Sequence, residues 1–413
     1  MSTLTAPTST PPLREDATVI GLVGLAHSIS HYSQLLLAPL FPWIKDAFGV
    51  SYAQLGFLLT IFFVVSCIVQ TLSGFWVDRY GPRPVLFAGL ALLGAAALGY
   101  AASSSYTMLA LFSVVAGIGN GVFHPVNYTL LNRKIGKARL GHAYSVHGIT
   151  GSLGWALAPA MLVPLTLAFS WRVALVCAAA LAFTVLLVLV WQRDKLTLPP
   201  ALAPRPAHAA STASTEGSLD FLKIPAVWMC FGFFFFYAGA LSIVQSFAPE
   251  AARQLHAVPA QLVAVCLTTY MLCSAGGMLL GGFLAVDADR SARVVGAAFG
   301  FAALLALAMA WLPLPAFAVP LVFGLIGFSS GIAGPSRDLL VKQSTPDNAT
   351  GRVYGVVYAG LDIGQAVVPL VIGRLMDLRQ FEAVWMALAL LQAVLIASAF
   401  KVSRVRRTPL QMA

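Results

Sequence analysis

Charge is what this sequence has least of. Only 10% of its 413 residues are charged, with 25 Lys and Arg against 15 Asp and Glu. A soluble domain carries roughly 25%. Hydrophobic residues make up 59%, and the mean hydropathy is +0.84. A soluble fold cannot hide that much apolar surface, because its exterior still meets water. The composition therefore excludes a soluble enzyme, a disordered chain and a disulfide scaffold, and makes lipid the solvent. Cysteine is scarce too. Cys67, Cys177, Cys230, Cys266 and Cys273 all fall within apolar runs, and none has a C-x-x-C partner. Neither a zinc site nor a disulfide framework is indicated, and the five read as packing residues. There is no H-E-x-x-H, no Walker loop, and no G-x-S-x-G in a suitable context. The chain is thus read as a non-enzyme without cofactor or metal. A net charge of +10 on a soluble chain would suggest nucleic acid. Here the basic residues sit in short loops between apolar runs, so the bilayer explains them and no nucleic-acid partner is expected.

A helix crossing a bilayer needs about 20 mostly apolar residues. Twelve such runs are present, near 18–40, 52–76, 84–102, 106–131, 140–164, 167–191, 222–248, 259–285, 293–311, 314–341, 352–376 and 381–401. The chain accordingly divides into a polar N-terminal tail (1–17), a six-helix half (18–191), a Pro/Ala/Ser-rich linker (192–221), a second six-helix half (222–401) and a basic tail (402–413). The first residues, MSTLTAPTSTPPLRED, hold no apolar signal-peptide core. With the N-terminus inside, the cytoplasmic loops hold 19 Lys and Arg against 5 outside. This bias places both termini in the cytoplasm.

The halves repeat. The segment starting at His124 aligns with the one starting at Gly334, at an offset of 210, without a gap over 36 positions. Pro125 meets Pro335, Gly141 meets Gly351, Tyr144 meets Tyr354, Gly154 meets Gly364 and Pro159 meets Pro369. Pro39 and Pro249 share that offset. Both copies run from a span through a cytoplasmic loop into the next span, so the repeat is parallel, about an axis along the membrane normal. The expected fold is all-α and integral to the membrane, with twelve transmembrane helices in two parallel-repeat halves.

After the second span comes GFWVDRYGPRPVL, where Gly74, Asp78, Arg79, Gly81 and Arg83 match G-x-x-x-D-R-x-G-R. Together with the twelve runs and the repeat, this resembles the major facilitator superfamily. The resemblance implies that this loop is a cytoplasmic gate, its Asp latching against the end of span eleven and a basic residue. A narrower resemblance lies in the first half: HSISHYSQLLLAPLFP from His27, GNGVFHP from Gly119 and GHAYSVHGITGSLGWALAP from Gly141. These are similar to bacterial fosmidomycin-resistance-type efflux proteins. That similarity implies proton-driven export of a small compound from a bacterial inner membrane. Where such relatives carry acids, this chain has His31 and Val126.

Polar residues inside spans are costly and usually face a pathway. In span one, His27, His31 and Gln34 share a face at i, i+4, i+7. In span four, Asn120, His124 and Asn127 do the same, and His124 precedes the helix-breaking Pro125. There the histidine either lines the pathway or repairs the backbone. Span five adds Tyr144 and His147 on one face with Gly151, and its Gly148, Gly151 and Gly154 allow close helix contact. Span seven offers Tyr237 and Gln245, and span ten Arg337 as an anion contact or ion-pair partner. In span eleven, Tyr354, Tyr358, Asp362 and Gln365 form a stripe. Asp362 lies ten residues, about 15 Å, from the inner end, at the midplane. His27, His31 and Asp362 are the titrating candidates. The reading is a monomeric secondary transporter whose partners are lipid, protons and a small organic compound, an anion among the candidates. Export coupled to protons leads, with proton symport, facilitated uptake or exchange of a metabolite anion as the alternative.

Overall fold

The computed structural model describes residues 13–136, 139–198, 225–284, 288–343 and 350–405, with side chains over 13–136, 139–198, 227–284, 291–336 and 359–400. Residues 1–12 and 406–413 of the expected tails and 199–221 of the linker lie outside these residues, whereas 13–17 and 402–405, expected in the tails, belong to the first and last helices. The first half comprises α1 (Leu13–Gln34), α2 (Phe41–Phe48), α3 (Tyr52–Tyr80), α4 (Pro82–Ala102), α5 (Tyr106–Asn120), α6 (Phe123–Lys134), α7 (Leu140–Ala168) and α8 (Trp171–Trp191). The second comprises α9 (Pro225–Ser246), α10 (Ala248–His256), α11 (Ala260–Leu284), α12 (Ala288–Trp311), α13 (Val319–Gln343), α14 (Thr350–Asp377) and α15 (Phe381–Val405). Among the described residues there is no strand.

Among the described residues, eleven stretches are long and apolar enough to cross a membrane, α5 and α6 together forming one of them. The 22-residue α1 is not among the eleven. Between His27 and Gln34 it carries two histidines, three serines, a tyrosine and a glutamine, which depress its hydropathy. With α1 counted, the bundle has twelve spans.

Local chemistry sets the helix ends. Ser51 closes a capping box on α3, its hydroxyl accepting from Gln54 N–H at 3.1 Å while its own N–H reaches Gln54 Oε1 at 2.8 Å. The hydroxyls of Ser105 and Ser170 cap α5 and α8, accepting from the Met108 and Val173 N–H groups. Gly81, at φ +81°, turns the chain between α3 and α4, a conformation a side chain would strain. Spans one and seven end sooner than the apolar runs, at Gln34 and Ser246 rather than 40 and 248. New short helices start there, with Pro42 and Pro249 in their first turns. Span four breaks at residues 121–122. Pro125 lacks the N–H that would bond the Gly121 carbonyl, and Ser73 Oγ stands 3.5 Å from that oxygen.

Packing obeys the repeat. Within the first half α1 lies on α7, α3 on α5, and α4 on both α5 and α8. Shifted by 210 residues these become α9 on α14, α11 on α13, and α12 on both α13 and α15, all observed. Between the halves α3 packs on α14 and α7 on α11, which the same shift exchanges. Ala156 and Ala366 are equivalent in the repeat. Each carbonyl accepts from a threonine of the opposite half, Thr268 at 3.4 Å and Thr60 at 2.5 Å.

The bundle has two ends. The motif end carries Gly81, Lys134 and Arg139, and the far end carries Ser51, Ser105 and Asp377. At the far end the Asp377 carboxylate accepts from the α3 amides of Tyr52 (2.7 Å) and Ala53 (3.0 Å), tying α14 of one half to α3 of the other. Phe41 and Phe247, with ring centroids 5.8 Å apart, also meet there across the halves.

Candidate functional site

Four imidazoles converge between α1, α6 and α7. His27 and His31 lie one turn apart on α1, with ring centroids 4.3 Å from each other. His147 of α7 stacks on His27 at 3.6 Å, the planes 17° apart. His124 of α6 is 5.4 Å from His27, 6.3 Å from His31 and 6.2 Å from His147. Trp155 covers His31 at 4.2 Å, and Tyr128 lies 5.3 Å from His147. Gly151 makes room for the cluster: a Cβ there would fall 2.7 Å from His31 Cε1 and 3.0 Å from His27 Nε2. Of the other glycines of span five, Gly154 sits against the Ser28 backbone, whereas Gly148 faces open space and brings no helix close.

Asn127 is fully buried, its Nδ2 3.4 Å from His27 Nδ1 and 3.2 Å from His147 Nε2. Its Oδ1 has no hydrogen-bond partner, and neither has His31 Nδ1. Beside this cluster runs a satisfied network. Asn120 Oδ1 accepts from Ser30 Oγ at 2.7 Å and Gln34 Nε2 at 3.4 Å, while its Nδ2 donates to Ser66 Oγ at 2.8 Å. Trp155 Nε1 donates to Gln34 Oε1 at 3.0 Å. These bonds tie α1, α3, α5 and α7 together beside the break in span four. Buried polar groups with every partner present rigidify what they join. The imidazole cluster, by contrast, leaves His31 Nδ1 and Asn127 Oδ1 without a hydrogen-bond partner among the described residues.

The structure thus brings His27, His31, Gln34, Asn120, His124, Asn127 and His147 into one place. Tyr144 lies at its edge, half exposed, donating to Asn132 Oδ1 and stacked edgewise on Tyr128 at 5.6 Å. Asp362 of α14 stands at the seam between the halves. Gln70 Nε2 of α3 donates to its Oδ2 at 3.3 Å. Gln365 is buried one turn further along α14. Tyr237 packs on Phe299 within the second half. Gln245 lies at a far-end cavity of about 270 Å³ between the halves, with Pro39, Trp43, Pro159, Pro249 and Glu250. The side chains of Arg337, Tyr354 and Tyr358 lie outside the described residues.

Sequence reasoning missed Trp155, Tyr128, Ser30, Ser66 and Gln70. Gln70 and Ser66 are polar residues inside an apolar run, the signal that singled out the histidines. Trp155 and Tyr128 are aromatics among aromatics and carry no such mark.

At the motif end, Asp78 is exposed, and the end of span eleven on this side of the bundle, its expected contact, has no described side chains. Arg79 lies over the Tyr80 ring at 5.3 Å. Arg83 donates to Thr197 Oγ1 at 2.6 Å, and Lys134 to the Thr197 carbonyl at 2.7 Å. The motif arginine thereby holds the start of the linker. Arg139 pairs with the buried Asp16 at 2.8 Å, joining α7 to α1.

A similarity to known proteins accompanies this geometry. The fosmidomycin resistance protein of Escherichia coli (strain K12) is 26% identical over 154 residues, 37% of this chain and 38% of that protein. An uncharacterised MFS-type transporter of Bacillus subtilis (strain 168), YfnC, is 25% identical over 382 residues, 90% of each chain. The fold matches a crystal structure of a bacterial homologue of the human lysosomal transporter Spinster, with a TM-score of 0.77 at 15% identity, covering 94% of this chain and 97% of that one. The sequence profile of the Major Facilitator Superfamily matches residues 23–369 and 229–411. With its paired six-helix halves, the chain belongs to the Major Facilitator Superfamily and is a membrane transporter, not an enzyme.

Proposed function

We propose that this transporter exports a small organic compound, an anion among the candidates, in exchange for protons across a bacterial inner membrane, with both termini in the cytoplasm. The observation that carries the proposal is the imidazole cluster of His27, His31, His124 and His147 around the buried Asn127. Histidine is the side chain whose ordinary pKa lies near neutrality, and a protonated cluster attracts an anion that a neutral one releases. Asp362 is the complementary group. It sits where α3 and α14 meet, so its charge acts on the contact that must change as the halves rock. Solute and proton must bind the inward-open and outward-open states with different affinities, or nothing is driven. The similarity to a fosmidomycin resistance protein favours export. Proton symport of a metabolite anion would use the same groups with the opposite direction of flux.

The test is flux in proteoliposomes with a pH dye inside and an imposed proton gradient. Fosmidomycin and a panel of mono- and dicarboxylates serve as probes. At least one probe is expected to collapse the gradient with the native protein and not with Asp362→Asn or His31→Asn. Movement of probe and proton in opposite directions means antiport; movement together means symport. Exchange of labelled probe without any proton movement would overturn the coupling.

A further inference from the structure

We propose that the Asn127 carboxamide is a two-position switch that forces His27 and His147 to match, so that the two rings take up one proton as a unit. The inference rests on the reading of the imidazole cluster as the proton pathway. Asn127 presents one and the same terminal atom to both rings, 3.4 Å from His27 Nδ1 and 3.2 Å from His147 Nε2. If that atom is the amide nitrogen, both ring atoms must accept, so His27 carries its proton on Nε2 and His147 on Nδ1. If it is the oxygen, both must donate, and the protons sit on His27 Nδ1 and His147 Nε2. The correlation holds for either assignment of the amide. A mixed pair leaves an N–H facing an N–H, or a lone pair facing a lone pair, at an amide that is fully buried.

Two further observations make this a switch and not a fixed bridge. Asn127 is fully buried, and the end turned away from the rings makes no hydrogen bond. No third partner therefore fixes which end faces the histidines, and a half-turn of the amide exchanges the states. In addition, His27 and His147 are stacked 3.6 Å apart with their planes 17° from parallel. Two positive rings at that separation repel strongly, so the pair carries one charge at most.

The step is then defined. The proton enters the oxygen-facing state at His27 Nε2, the nitrogen turned away from Asn127. A neighbouring imidazolium, His31 or His124, loses its N–H bond, and His27 gains one at Nε2 and becomes the charged ring. Its Nδ1–H still donates to the Asn127 oxygen, and His147 keeps its proton on Nε2, donating to the same oxygen. In the nitrogen-facing state the open site on His27 is Nδ1, which meets an amide N–H, so protonation selects the oxygen-facing state and with it the tautomer of His147. One proton has entered and one charge has appeared. The titratable groups facing the pair are His31 on α1, His124 and Tyr128 on α6, and Tyr144, next to Tyr128, on α7. His31 and His124 are the exchange partners on the His27 side, and Tyr128 is the one on the His147 side. Asn127 is a positioning residue: it touches the rings, and through them sets where the proton resides.

The experiment is nitrogen-15 NMR of the full chain in nanodiscs, with labelled histidine and lines assigned through His27→Gln and His147→Gln. In the native protein His27 and His147 are expected to titrate with one shared midpoint and to change tautomer together. Asn127→Leu is expected to split that midpoint by about one pH unit or more, a tenfold difference in proton affinity, and to populate mixed tautomers. Asn127→Asp, near in shape but only an acceptor when ionised, is expected to hold His27 Nδ1 and His147 Nε2 protonated where the native rings have changed tautomer. Independent midpoints in the native protein, or a shared midpoint that survives Asn127→Leu, would overturn the switch. Should the leucine variant not fold, unchanged tautomers in Asn127→Asp would overturn it equally. The readout involves no solute. A shared midpoint in a protein that moves no protons in liposomes would leave the switch standing and remove the export reading.

Discussion

Gly277→Leu is expected to yield no monodisperse protein after detergent extraction, while Gly276→Leu, one residue away, elutes as the native chain does. The two glycines are neighbours on α11 and point about 100° apart. Gly276 meets nothing within 4 Å. At Gly277 a Cβ would overlap the Phe328 carbonyl oxygen of α13, and four residues on, at Gly281, it would overlap that of Ile332. From the other helix, Gly327 and Gly331 sit equally close to the carbonyls of Tyr270 and Ser274. The obstacle is backbone in every case, so no side chain can swing aside. In lipid there is no hydrophobic drive between helices, and close backbone approach is what associates them. Overpacking one site in a well-packed core costs about 1–3 kcal/mol even for added methylenes. An isobutyl group against main chain must separate α11 from α13, the second half's counterpart of α3 on α5. Fluorescence-detected size exclusion of the two variants decides the matter, and native elution of Gly277→Leu would refute the zipper.

Why the fold was legible and the site only partly so follows from the solvent. A bilayer requires every backbone group to be bonded within the segment, so spans announce themselves as apolar runs. The repeat offset of 210 foretold which interfaces would be equivalent, and α3 on α14 and α7 on α11 are equivalent. The ends of spans one and seven were not legible. In LLLAPLFP the residues stay apolar past Gln34, and only the geometry of Pro39 and Pro42 shows that the helix has ended. The histidines stood out because polar groups inside spans are rare. Their spacing on each helix gave a face, but nothing in a single sequence says that the faces of α1, α6 and α7 meet. Asn127 could be named as polar and inward. That one of its atoms touches two rings is a property of three helices and not of one. Gln245, named from its place in an apolar run, lines the far-end cavity between the halves together with Glu250.

Asp377→Ala is expected to open the far end of the bundle. The first amides of a helix have no partner within it. In α3, Ser51 serves the Gln54 N–H, and the carboxylate of Asp377, at the end of α14, takes those of Tyr52 and Ala53 at 2.7 and 3.0 Å. A helix start in one half is therefore capped by an acid of the other, and the bond persists only while the halves are closed at this end. Hydrogen bonds to charged groups contribute about 1.5–3 kcal/mol where shielded, and a carboxylate at an exposed helix start about 0.3–1 kcal/mol. Asp377 is only half buried, so about 1.4 kcal/mol, a tenfold change in the closed-to-open ratio, is a fair expectation for its loss. Spin labels at Ser104 and Phe317, exposed at this end on opposite halves, in a background without the five cysteines, would report it by pulsed electron resonance. Asp377→Ala should add a longer-distance population. Asp377→Asn, which keeps one oxygen acceptor but no charge, should fall between it and the native chain. Identical distance distributions in all three would mean that the aromatic contact of Phe41 with Phe247 and the Thr60 bond to Ala366 hold this end closed without the carboxylate.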